Sequence, residues 1–258
     1  MKKLNPTSTH FLTQKFWRYS RKIIGRELWT FFYTLNQKIK FNGLKKIILK
    51  NDLSLKQNLI SKFNINKEYQ IPKENKLSEI LLKNKSVKPP GKYLEFLDEE
   101  IKKIPKKNNF ILEIGIAHGN GLISLREFFY GSKIVGLDID PATFIKEDRI
   151  DCYEFDQLNL EKSKKTMETI NYSFDLIIDD GWHQPEAQIK TLVACLPYLS
   201  SNGIYIVEDI VMRDYKKIFY EISKILELKK FKCKLYDFVP KVKINNYGMT
   251  GVLKITRS

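Results

Sequence analysis

From residue 109 onward, apolar residues come in short, nearly continuous runs, and each run is followed by a stretch in which they recur every three or four positions. The runs NFILEIG, KIVGLDID, DCYEFDQ, FDLIIDD and GIYIVEDI predict five strands buried on both faces. Between them LISLREFFYG, EKSKKTMETI and PEAQIKTLVACLPYLS predict helices, the last stopping near Ser201-Asn202-Gly203. DYKKIFYEISKILEL is a further helix, and KCKLYDFV and TGVLKITR close the chain as two late strands. Strands separated by 10–15-residue helices are βαβ units, so the expected class is α/β with a mostly parallel sheet covered on both faces.

Residues 12–60 follow a different pattern. KFWRYSRKIIGRELWTFFYTL sets Phe16, Trp17, Ile23, Ile24, Leu28, Phe31 and Phe32 at helical intervals with arginines and lysines between them. Residues 61–90 are polar, and Pro89-Pro90-Gly91 predicts a boundary between an N-terminal extension, 1–90, and a main domain, 91–258. KYLEFLDEEIKKI opens that domain as an amphipathic helix.

Charge sharpens the division. Residues 1–90 carry 20 Lys and Arg against 5 Asp and Glu, so the whole net charge of +15 lies there. Two roles suit the segment: a helical cap on the main domain or on a second subunit of a homo-oligomer, or adsorption to an anionic membrane through residues 12–60. Cys152, Cys195 and Cys233 are widely spaced, which argues against a disulfide framework and for a reduced, cytoplasmic setting, peripheral to a membrane if the segment docks there. No apolar run approaches the ~20 residues of a membrane span, and none has the form of a secretory leader.

Candidate chemistry sits at the strand ends, where open α/β sheets bind ligands. The first strand runs into LEIGIAHGNG, whose Gly115, Gly119 and Gly121 free the backbone to approach a ligand. The second ends at Asp138, able to accept from a ribose diol, and the third near Asp156, able to accept from an exocyclic amine. The fourth ends on Asp179-Asp180 with His183 close behind, and the fifth on Glu208-Asp209. Fourth and fifth strands are neighbours in such a sheet, ~4.8 Å apart, so these carboxylates should converge. Either they cap the helices that follow or they share a hard divalent cation, magnesium first, which relieves their repulsion.

The spacing ExGxxxGxG with an acidic second strand end resembles the S-adenosylmethionine-dependent class I methyltransferases, over roughly 109–257. That resemblance implies a Rossmann-like, seven-stranded sheet with a late antiparallel pair. It also implies that the Gly115 loop lies by the methionine part of the cofactor with Glu113 supporting the loop from below, and that Asp138 lies by the ribose and Asp156 by the adenine. DDGWH followed by VED is similar to a narrower group, the metal-dependent sugar O-methyltransferases of the macrocin and mycinamicin type. By that match Asp180, Glu208 and Asp209 would be metal ligands and His183 the general base, while Asp179 has no assigned role and can orient the loop. Trp182 stands where the group often has a small residue, and either stacks on a sugar or covers the pocket. The expected activity is methylation of a hydroxyl on a sugar or glycan-like small molecule, lipid-linked if the N-terminus docks on membrane. A non-sugar diol or phenol is the alternative. Nucleic acid is disfavoured as a partner: the basic N-terminus could bind phosphate, but the fourth strand ends in DDGW rather than the [DN]-P-P-[YF] of amino-methylating enzymes.

Overall fold

The computed structural model describes residues 39–64, 68–86, 88, 91–210, 213–238 and 251–258. The chain divides into two compact units, 1–46 and 47–258. Of the first, only residues 39–46 are described, and they are helical. Most of the basic segment 12–60, with the aromatics expected to meet lipid, therefore lies outside the described residues. None of the described helices is long and apolar enough to cross a membrane.

The second unit is built on seven strands: β1 (Lys107–Ile114), β2 (Gly131–Asp138), β3 (Ile150–Glu154), β4 (Phe174–Asp179), β5 (Leu199–Val207), β6 (Phe231–Asp237) and β7 (Gly251–Arg257). Their order across the sheet is β3-β2-β1-β4-β5-β7-β6. The first five run parallel, and β7 is antiparallel to both β5 and β6. Helices α1 (Leu77–Lys83), α2 (Lys92–Ile101), α3 (Asn120–Phe128), α4 (Leu160–Ile170), α5 (Pro185–Cys195) and α6 (Arg213–Leu228) accompany them. The order reverses between β1 and β4, and the crevice that forms at such a switch point is where this architecture takes ligands.

The apolar runs of the central strands form the core. Ile111, Leu112, Phe174, Leu176, Ile177, Tyr205, Ile206 and Val207 are all fully buried. The unit also begins earlier in the chain than the proline pair suggests. Leu77, Ile80 and Leu81 of α1 are buried in the same apolar cluster as Leu94, Leu97 and Ile101 of α2 and Leu125 of α3. The unit that holds the sheet thus begins at residue 47, and α1 buries its apolar face in that unit's core.

One predicted boundary shifts. The helix expected to run to residue 200 ends at Cys195, a single 3-10 turn covers Leu196–Tyr198, and β5 starts at Leu199. Pro197 has no N–H with which to continue the α-helix. Gly203, expected as a helix stop, lies inside β5, where a Cβ would stand 2.8 Å from the Phe174 carbonyl oxygen at the point where the β4–β5 register slips.

Truncation at the middle of the sheet should be costly. Leu176→Ala removes a fully buried side chain from β4 and should destabilise the protein by about 2–5 kcal/mol. Denaturant unfolding monitored by circular dichroism measures this, and a change within error would mean that β4 is not part of the cooperative core.

Candidate active site

Register brings the strand ends level. Ile114 pairs with both Leu137 and Asp179, and Asp179 pairs with Val207. The residues one step further, Gly115, Asp138, Asp180 and Glu208, therefore emerge side by side at the carboxyl edge of the sheet. Backbone bonds carry the ladder past the strands: Asp180 N–H donates to the Ile114 carbonyl at 2.9 Å and Glu208 N–H to the Asp179 carbonyl at 3.0 Å.

The glycines of the β1 loop are demanded by protein packing. Gly115 has φ +93, and a Cβ there would overlap the backbone carbonyl of Asp180. Gly119 has φ +78 and presses on Ile145, while a Cβ on Gly121 would stand 2.6 Å from Glu113 Oε2. Glu113 is buried, and burial pushes its carboxyl up to about 7 against the pull of Lys88. Asp138 braces the same loop, its Oδ2 accepting from Ile116 N–H at 2.8 Å and its Oδ1 from Asp140 N–H at 3.0 Å. Asp156 closes its own turn by accepting from Leu158 N–H at 3.0 Å. His118 is exposed on the loop.

On the other side of the crevice the DDGWH turn is tied to the β3 end by Gln157, which sequence reasoning missed. Its Nε2 donates to Asp179 Oδ1 at 3.0 Å and to Thr191 Oγ1 at 2.9 Å, and its Oε1 accepts from Trp182 N–H at 2.6 Å. A Cβ on Gly181 would collide with the Gln157 amide, which accounts for the glycine of the motif. Asp179 is wholly buried, and its Oδ2 has no hydrogen-bond partner among the described residues. Burial pushes its carboxyl up to about 7, opposed by bonds from Gly181 N–H and Gln157. Asp179 is thus a foundation of the turn. Trp182 is half-buried.

Asp180, His183 and Asp209 gather in the crevice, with one potential ligand atom from each within 4.8 Å of the others. His183 Nε2 lies 3.4 Å from Asp209 Oδ2 and 4.0 Å from Asp180 Oδ1. Asp209 adopts φ +53, a left-handed conformation uncommon outside glycine and Asn/Asp. Its Oδ1 and the Nδ1 of His183 are buried without a hydrogen-bond partner among the described residues. Burial raises the Asp209 carboxyl, while His183 pulls it down.

Glu208 has a different environment. It is fully buried, and Lys88 Nζ donates to both its oxygens at 2.9 and 2.8 Å, while the Tyr93 hydroxyl donates to Oε1. The same ammonium bonds Asp180 Oδ2 at 2.7 Å and lies 3.9 Å from Glu113. Burial alone would lower the Lys88 pKa, but Asp180, Glu208 and Glu113 outweigh it and hold the ammonium form firmly. Burial and the charge of Asp180 push the Glu208 carboxyl up, and Lys88 pulls it back. Lys88 and Tyr93 went unnoticed in the sequence. The available signal was the Tyr93, Leu94, Phe96, Leu97 face of the amphipathic helix, which had to lie against something.

The buried Asp179 makes stability depend on pH in a defined direction. Its pKa is about 7 when folded, against the ordinary 3.8, so the native state holds the proton more tightly. Its contribution is then fully present below pH ~4 and is lost as pH rises towards 7. Denaturant unfolding at pH 5 and 7.5 should show Asp179→Asn gaining on the wild type across that interval. An identical pH dependence in the two proteins would show that Asp179 is not held protonated by burial.

No protein-family model matches the chain. Over 126 residues it is 30% identical to the demethylmacrocin O-methyltransferase of Streptomyces fradiae, a span covering 46% of this chain and 29% of that protein. Over 107 residues it is 33% identical to the mycinamicin VI 2''-O-methyltransferase of Micromonospora griseorubida, covering 38% and 26%. The chain thus spans little more than a quarter of the length of these curated relatives. Among solved structures it resembles the mycinamycin-pathway methyltransferase MycE, solved in complex with Mg, SAH and mycinamycin VI. The match has a TM-score of 0.57 at 19% identity over 72% of this chain and 55% of that one. Sheet order, level strand ends and these likenesses agree: the chain has the Rossmann-like fold of class I methyltransferases, and its relatives by sequence are O-methyltransferases of the macrocin and mycinamicin type.

Proposed function

We propose that this protein is an S-adenosylmethionine-dependent O-methyltransferase that uses a divalent cation, magnesium or a similar ion, to methylate a hydroxyl of a sugar or glycan-like small molecule. One observation carries the reading. The glycine loop with Asp138 and the group Asp180, His183 and Asp209 stand on adjacent strand ends of a single crevice.

The residues fit both groups. Asp138 keeps lone pairs for a ribose diol beyond its two backbone bonds, and Ile139 beside it is half exposed, an apolar surface that a purine would cover. The loop at Gly115, with Glu113 buried beneath it, would adjoin the methionine part, and Asp156 the adenine. For the cation, Asp180 and Asp209 offer hard oxygen donors, and the unpartnered Asp209 Oδ1 is a buried acceptor that a cation would satisfy. Glu208 would complete the carboxylate set. The cofactor supplies the methyl group, and a bound cation supplies the positive charge that favours the ionised form of a ligated hydroxyl.

The chain's own residues do the rest. His183, about a third exposed to the crevice, takes the proton of the acceptor hydroxyl on Nε2. Asp209 at 3.4 Å stabilises the imidazolium so formed. Gln157, by gripping Asp179 and the Trp182 amide, holds the turn that aims His183. Fixing acceptor and donor in one crevice contributes through orientation and saved entropy. The lipid-linked form of the acceptor would accord with the charge of residues 1–90.

Two outcomes follow. Calorimetry should show S-adenosylmethionine binding to the wild type, weakened by roughly 1–3 kcal/mol in Asp138→Ala, the cost of leaving ligand hydroxyls unpaired; no binding to the wild type would reject the assignment. With a methylatable sugar acceptor, His183→Ala should lower turnover by ~10²–10⁴-fold and change the pH profile of the rate. A variant that keeps the wild-type pH profile would return His183 to a structural role.

A further inference from the structure

Lys88 stands between the very carboxylates that the cation reading needs. Its side chain is only 4% exposed, and its Nζ contacts Asp180 Oδ2 at 2.7 Å and both oxygens of Glu208 at 2.8 and 2.9 Å. Tyr93 adds a further donor to Glu208. No part of the Glu208 carboxylate is exposed, and both its oxygens are already occupied. Asp180 has one oxygen committed to Lys88, and its other faces His183.

A magnesium-sized ion needs oxygen donors at ~2.0–2.1 Å. A carboxylate lone pair that receives an ammonium proton cannot serve it as well. A divalent ion brought against the same two carboxylates would also face Lys88 at close range in a water-poor setting, where like charges repel strongly. The positive charge at this point of the crevice is thus already supplied by the chain.

We propose that Lys88 is a resident cation that competes with the divalent ion for Asp180 and Glu208: its ammonium holds these strand ends together while the metal is away and must leave them for Glu208 to become a ligand. This rests on the cation reading above and adds a positioning residue to it. Two consequences follow. The repulsion between Asp180 and Glu208 is partly offset without metal by the single ammonium they share, so the fold depends less on loading. Metal affinity is set below what the carboxylates alone would give, because Lys88 has to be displaced.

The test is a Mn²⁺ titration of the full-length protein, with free Mn²⁺ read by electron paramagnetic resonance. Lys88→Met, which keeps the chain length and removes the charge, should bind Mn²⁺ at least tenfold more tightly than the wild type. Adding Asp180→Asn to Lys88→Met should abolish that gain. Wild-type binding with no gain in Lys88→Met would overturn the competition and leave the cation site standing. No Mn²⁺ binding by either protein would overturn both. Should Lys88→Met fail to fold, acetic anhydride labelling of the wild type followed by mass spectrometry decides the matter. Lys88 should be protected without metal and become several-fold more reactive at saturating Mn²⁺. Protection unchanged by Mn²⁺ would overturn the proposal.

Discussion

Everything at this site depends on the level alignment of parallel strand ends. Because Ile114, Asp179 and Val207 share one rung, the next residues, Gly115, Asp180 and Glu208, must leave the sheet together. A slip of one residue in β4 would turn Asp180 to the other face and dissolve the cluster. The alignment is held by the buried aliphatic side chains of β1, β4 and β5, which fill both faces of the sheet and fit in only one register.

Alignment creates an electrostatic problem that the structure answers in layers. Asp179, wholly buried, has its carboxyl pushed up to about 7 by burial. Glu208, equally buried, is matched by an ammonium. Asp180 is shared between that ammonium and the crevice. Asp209 faces His183. Four neighbouring carboxylates therefore have four environments, and free acceptor atoms remain on Asp179 inside the protein and on Asp209 beside His183. Charge of one sign is tolerated here because each step away from solvent adds a different means of offsetting it.

The segment before β1 belongs to this answer. Lys88 and Tyr93 come from the stretch around α2, outside the alternating strand and helix pattern, yet they bond a fully buried carboxylate of the site. Asp138 and Gln157 do comparable work on the other flank, bracing the glycine loop and the DDGWH turn respectively. These residues frame the strand ends with hydrogen bonds that run to the protein itself.

The amino-acid sequence alone determined the architecture, because the period of its apolar residues changes from continuous runs to helical spacing at every element, and because a βαβ chain has essentially one handed way to close. It also marked Asp138, Asp180, His183, Glu208 and Asp209, since each follows a run that can only be a buried strand. Tertiary structure decided how those residues are used. Sequence order cannot tell that Lys88, 120 residues ahead of Glu208, occupies its carboxylate, or that Gln157 fills the space left by Gly181. Nor could it tell that the glycines of the β1 loop answer to Asp180, Ile145 and Glu113, because such contacts join segments whose separation along the chain carries no periodic signal. Strand order, register and the packing of the preceding helices bring them within bonding distance.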